Sequence, residues 1–141
     1  MISVKRASWI EDEIAIKSVR ISVFVKEQQI PFEVDFDTQD ATAKHWLAVD
    51  ANNQPVGTAR MLSDGHFGRM AVLKNYRNHG IGRLIMAAVS DYAAVSGMRE
   101  VYLYAQLTAM PFYQSLGFTP YGKVFLEAGM EHIAMLKQLS V

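Results

Sequence analysis

Hydrophobic positions along the chain keep two different periods. Ile2 and Val4 alternate with polar neighbours, as a first strand does. Ser8 followed by Glu11 is a capping-box signal for a helix running to about Val25, with Arg20 on it. Residues 45–49 and 55–62 read as strands around an Asn52-Asn53 turn, and Asp64-Gly65 marks a tight hairpin into a strand over 67–72. From Ile81 the period lengthens: Ile81, Leu84, Ile85, Ala88, Val89 and Tyr92 predict a helix that a left-handed cap at Gly97 ends. Val101, Leu103 and Ala105 alternate with Tyr102 and Tyr104 as a fifth strand, and a short helix over 110–116 is stopped by Gly117. Residues 121–127 and 130–137 form a closing hairpin about Ala128-Gly129, so the predicted order is β α β β β α β α β β. Between Glu27 and Asp40 neither period holds. That stretch carries Glu27, Glu33, Asp35, Asp37 and Asp40 with no Lys or Arg, and Pro31 interrupts it, which predicts a loop or short irregular helix.

Composition narrows the picture. A chain of 141 residues that is 50% hydrophobic suits one core, and hence one domain over 1–141. Fourteen basic residues balance fourteen acidic ones, so no global field draws the chain to nucleic acid or an anionic membrane. No apolar run reaches the roughly 18 residues of a span, and residues 1–6 lack a signal peptide's apolar core, so the expected location is the cytoplasm. Without cysteine, disulfides, thiolate–metal sites and a cysteine nucleophile are excluded. His45, His66, His79 and His132 form no ligand pair at helical or hairpin spacing, and no catalytic metal is expected.

The chemistry concentrates where the third predicted inner strand turns into the long helix, at Arg77-Asn78-His79-Gly80-Ile81-Gly82-Arg83. Free N–H groups at a helix start carry partial positive charge, glycine admits a phosphate closely, and Arg77 and Arg83 can add charge-assisted bonds. The same glycines would also serve a plain tight turn. The dinucleotide fingerprint fails because Ile85 replaces its third glycine, and the Walker loop fails because Arg83-Leu84 follows Gly82.

Arg77-Asn78-His79-Gly80-Ile81-Gly82 resembles the Arg/Gln-x-x-Gly-x-Gly/Ala pyrophosphate motif of the GCN5-related N-acetyltransferase (GNAT) family. Ala109, Phe112, Tyr113, Leu116, Gly117 and Phe118 fit that family's later Ala-x-x-Phe-Tyr-x-x-Leu-Gly-Phe segment. The element order agrees, and residues 19–35 are similar to a subgroup of small acyltransferases without an assigned substrate. The resemblance implies an α/β (α+β) fold with a mostly antiparallel sheet of six to seven strands and helices on both faces. It also implies acetyl-coenzyme A as co-substrate, bound by Met70, Ala71 and Val72, by Arg77, Asn78, His79, Gly80, Ile81, Gly82 and Arg83, and by Gln106 and Phe112. An N–H of Ala71 or Val72 would steady the developing oxyanion. Tyr113 corresponds to the family's proton donor to the departing thiolate; its other reading is packing between Phe112 and Phe118.

The attacking amine must lose a proton, and Glu33, Asp35, Glu127 and His132 are candidate bases. Glu33 and Asp35, in the acidic stretch, would also attract a cationic amine, unless that stretch is simply a solvated surface. His132 shares a strand face with Met130, Ala134 and Leu136, and serves as base or as a buried structural histidine. Tyr102, Tyr104 and Trp46 line the acceptor pocket or belong to the core; Arg60 and Arg69 are pocket charges or solvated edges. The expected reaction is direct acetyl transfer to a primary amine, of a small molecule or a peptide, by a monomer or homodimer. The competing class is a noncatalytic acyl-coenzyme A sensor.

Overall fold

The computed structural model describes residues 1–139; Ser140 and Val141, the end of the expected 1–141 domain, lie outside the described residues. The seven strands are β1 (Ser3–Ala7), β2 (Lys44–Val49), β3 (Pro55–Met61), β4 (Phe67–Val72), β5 (Glu100–Gln106), β6 (Thr119–Glu127) and β7 (Met130–Gln138). The fold is the expected mixed α/β type, with the strands divided between two antiparallel sheets in the orders β1-β2-β3-β4 and β5-β7-β6. Four helices join them: α1 (Trp9–Arg20), the one-turn α2 (Phe32–Asp35), α3 (Ile81–Val95) and α4 (Met110–Ser115).

Helices cover both faces of the first sheet because β2 alternates between two apolar sets. Leu47 and Val49 pack with Ile16 of α1, while Trp46 and Ala48 pack with Ile81, Ile85 and Val89 of α3. Val101, Leu103, Ala105 and Met135 bring the second sheet into the α3 core. Trp46 is therefore core, not pocket lining.

Two local expectations need correction. Ser8 caps α1 without a side-chain bond; instead its N–H donates to Asp12 Oδ2 at 2.9 Å, so Asp12 rather than Glu11 closes the first turn. The helix also does not stop near Val25. It widens over Ile21–Glu27 into π-type turns, with the Gln28 N–H reaching back five residues to the Val23 carbonyl at 3.0 Å. A side chain at position 27 or 28 is thereby re-aimed relative to a regular helix.

The two sheets meet at β4 and β5. The Tyr102 N–H donates to the Gly65 carbonyl at 3.1 Å, and His66 and Tyr102 form the single parallel bridge between them among the described residues. Beyond that point β4 bends away. Thr58 pairs with Ala71 but Arg60 with Gly68, so β4 carries an extra residue, and Arg69 takes φ 50° in the resulting bulge. The strands open as a V.

Candidate active site

The V encloses a cleft of about 880 Å³ that runs from the glycine turn to the start of β7. At one end, Asn78 (φ 64°) and Gly80 (φ 81°) are both left-handed just before α3 begins at Ile81, and all three line the cleft. Gly80 tolerates this φ because it lacks a Cβ. Gly82 is constrained by packing instead: a Cβ there would lie 3.0 Å from Phe112 Cζ and 3.7 Å from Met70 Cε. Asn78, Gly80, Ile81, Gly82, Arg83 and Phe112 line the cleft; His79 is exposed and does not, which corrects its expected place beside a phosphate. Arg77 lines the cleft too, but its guanidinium is engaged: Nη1 and Nη2 donate to both Glu27 oxygens at 2.6 Å and Nε to the Val72 carbonyl at 2.9 Å.

Midway along the V, Met70, Ala71 and Val72 face Gln106 across the gap. The Leu73 N–H donates to Val56 of β3 at 2.9 Å, so two-residue alternation turns the polar edge of Val72 the other way, into the cleft. Of the two oxyanion candidates, Val72 is the one with that orientation. Gln106 Nε2 donates to Gln28 Oε1 at 3.0 Å, so the end of the widened helix spans the V.

Tyr113 stands at the cleft wall, buried edge-on between Phe112 and Phe118. The packing between Phe112 and Phe118 is thus present, at a place on the cleft wall. Burial is the sole cause that pushes its phenol pKa up, so the hydroxyl keeps its proton throughout ordinary assay conditions.

His132 is 6% exposed and lines the cleft from β7. Its Nδ1 lies 2.8 Å from the Met130 carbonyl, an acceptor, so Nδ1–H donates there and Nε2 is the acceptor nitrogen of the neutral ring. Nε2 lies 3.7 Å from Glu127 Oε2, and Glu127 also lines the cleft.

The acidic stretch is not what its sequence suggests. Four of its five carboxylates, those of Glu27, Asp35, Asp37 and Asp40, have arginine partners from other elements. Arg20, 1% exposed, donates through Nε to Asp35 Oδ2 at 3.1 Å, through Nη1 to Asp40 Oδ1 at 2.7 Å and through Nη2 to the Asp35 carbonyl at 2.6 Å. Arg60 binds Asp37 and Asp40, both at 2.8 Å, and Arg69 binds the Asp35 carbonyl at 3.0 Å and Asp37 at 3.2 Å. Three arginines thus match three aspartates. Asp35 does line the cleft, but as a member of this network, and burial raises its pKa against the pull of Arg20 and Arg69. Glu33 is exposed on α2, whose turn sends Val34 and Asp35 to the cleft and Glu33 away from it; its assignment as base and acceptor ligand is not supported by its position. Arg60 proves to be a buried network member, and Arg69 both a network member and a cleft residue. His45, buried under the same network, donates through Nε2–H to the Asp40 carbonyl at 2.8 Å, and its Nδ1 has no partner among the described residues.

Sequence reasoning missed His66, Gln28 and the Arg20 network. Asp64-Gly65 signalled the hairpin, but nothing local shows that its next residue bridges two sheets. No group of three or more His, Asp or Glu side chains gathers as metal ligands among the described residues. No helix among them is long and apolar enough to cross a membrane.

A splayed β4–β5 pair with a left-handed glycine turn at one end and a phenol and an imidazole on its walls defines a coenzyme A-dependent acyltransferase architecture. The comparisons agree: a family model for the acetyltransferase (GNAT) domain matches residues 13–139. The chain is 39% identical to YjcF of Bacillus subtilis, an uncharacterized N-acetyltransferase, over 84% of this chain and 87% of that one. The crystal structure of Escherichia coli ElaA superimposes with TM-score 0.85 at 31% identity, covering 97% of this chain and 99% of that one. An acyl-CoA N-acyltransferase from Pseudomonas aeruginosa superimposes with TM-score 0.85 at 25% identity, over 97% and 99% of the two chains. This chain belongs to the GNAT family of acyl-CoA-dependent N-acetyltransferases.

Proposed function

We propose that the chain, as one domain, transfers the acetyl group of acetyl-coenzyme A directly to a primary amine, with His132 as base and Tyr113 as acid. The observation that carries this reading is that an imidazole engaged through Nδ1, a proton-bearing phenol and the β4 residues Met70, Ala71 and Val72 all line one cleft. The turn from Asn78 to Arg83 supplies N–H groups and charge for the pyrophosphate, in keeping with the family motif. Arg77 would reach a phosphate only by giving up its contact with Glu27.

In the reaction the amine nitrogen attacks the thioester carbonyl carbon. A C–N bond forms, the carbonyl oxygen gathers negative charge near the Val72 N–H, and the C–S bond then breaks. His132 Nε2 accepts the proton lost by the nitrogen, and Tyr113 gives its proton to the departing sulfur and regains one from solvent. No covalent enzyme intermediate is needed.

The test is calorimetric titration with acetyl-coenzyme A followed by turnover on a panel of primary amines. Saturable binding with release of free thiol on at least one amine is the expected result. Binding without turnover on any amine would make the chain a sensor of acyl-coenzyme A, and absence of binding would remove the cleft's assignment altogether.

A further inference from the structure

The face of the second sheet turned away from α3 carries aromatic rings in an unbroken series. His66 stacks on Tyr102 with centroids 4.6 Å apart and planes 12° apart, and meets Tyr104 edge-on at 4.6 Å. Tyr104 meets Phe125 edge-on at 5.4 Å, and Phe125 stacks on His132 at 5.9 Å. Register explains the alignment: Tyr104 pairs with Ala134, Gln106 with His132, and Phe125 with His132, which puts them on one side of the sheet. The far end is fixed by the Tyr102 hydroxyl, which donates to Asp64 Oδ2 at 2.5 Å.

Three of these rings, His66, Tyr104 and His132, belong to the cleft wall, and Tyr104 remains 41% exposed. An exposed ring held by neighbours on two sides offers a flat apolar surface whose ordering cost is already met. Beside it stands Glu127, half exposed, whose carboxylate meets no Lys or Arg among the described residues, only His132. The other carboxylate of the wall, Asp35, is matched by Arg20 and Arg69. Negative charge available to an acceptor thus sits at Glu127, next to the base and at the end of the ring series.

We infer that the acceptor is an amine with an aromatic or flat apolar body, its ring against Tyr104 and His66 and its cationic nitrogen drawn to Glu127. A linear polyamine or an acidic amine would leave the ring surface wet or meet like charge. The inference rests on the N-acyltransferase reading for its meaning but not for its test, which is binding.

Phenylethylamine and butylamine are titrated into the protein–coenzyme A complex, where the free thiol permits no reaction. Phenylethylamine is expected to bind about two- to tenfold more tightly, the range of an aromatic contact beyond area burial. Tyr104→Leu should abolish that advantage, Tyr104→Phe should keep it, and neither should alter coenzyme A affinity. Glu127→Gln should weaken both amines alike and leave neutral phenylethanol unchanged. Equal binding of the two amines, or an advantage that survives Tyr104→Leu, would overturn the inference. If amines turn over at similar kcat/KM with equal binding, the acceptor class falls and the transferase stands. If aromatic amines bind through Tyr104 but none turns over, the acceptor class stands and the transferase falls.

Discussion

At the scale of single residues, Tyr113 and His132 are each held by something that fits the role assigned to it. The Met130 carbonyl fixes the tautomer of His132, and the aromatic neighbours of Tyr113 hold its ring in place. Tyr113→Phe keeps that packing and removes only the proton. We expect kcat to fall by about 10²-fold or more with little change in acetyl-coenzyme A affinity, because the lost contact exists only in the transition state. Steady-state kinetics beside calorimetry separates the two effects, and wild-type turnover would return Tyr113 to a packing role. Since burial raises its pKa, Tyr113 should add no alkaline limb to the rate profile in the assay range. His132→Gln should lower kcat, because glutamine cannot accept the proton. The positions of both residues were legible: one from the family's Phe-Tyr spacing, the other from two-residue alternation along β7. What alternation could not supply was the Met130 contact that engages Nδ1 and leaves Nε2 as the nitrogen toward Glu127.

At the scale of elements, the informative failure is the segment from Glu27 to Asp40. Read along the chain it is acidic and unneutralised; in the fold, Arg20 comes from α1, and Arg60 and Arg69 from β3 and β4. No local rule connects residues 15 to 34 positions apart, whereas β4 and the α3 start were legible because periodicity and glycine act locally. The network anchors α2 to the sheet beside the cleft, and at Arg20, Asp35, Asp40 and Arg60 it does so out of water. Arg20→Leu should therefore destabilise the protein by about 3–5 kcal/mol, since it leaves buried carboxylates without their partner. Urea unfolding measures this, and a loss below about 1 kcal/mol would show the network to be dispensable. Acid should act on the same cluster. Hydrogen bonding and charge from Arg60 hold Asp37 at about 2, and in Asp40 the contacts to Arg20 and Arg60 outweigh burial and also lower the pKa. A carboxyl lowered on folding stabilises above its unfolded value, 3.8, and loses that contribution as pH falls through the folded value. Asp35, raised by burial, runs the other way and takes up a proton first. The urea midpoint should hold above about pH 4, fall toward pH 2, and fall less steeply in Asp37→Asn.

At the scale of the whole molecule, the V leaves two sheets joined on one side of the cleft by the β4–β5 bridge and spanned on the other by side chains. Glu27 and Gln28, adjacent at the end of the widened helix, reach Arg77 and Gln106 respectively. The Glu27–Arg77 pair is about a third exposed, and exposed pairs add little to stability. A ligand lying along the V would touch both sheets and the turn at once, and would bind the folded chain alone. Acetyl-coenzyme A should accordingly raise Tm with concentration: at about 100 times Kd the gain is roughly 2.7 kcal/mol, or on the order of 10 °C for a domain of this size. Gly82→Asp tests where that ligand sits. Its Cβ would press on the Phe112 ring, a side chain that can yield, while its carboxylate would oppose phosphate at a helix start. The variant should therefore melt within a few degrees of the parent when free, and should show little or no rise with acetyl-coenzyme A. A rise equal to that of the parent would place the pyrophosphate away from the glycine turn, and a variant that melts far lower when free would mark Gly82 as a packing glycine first.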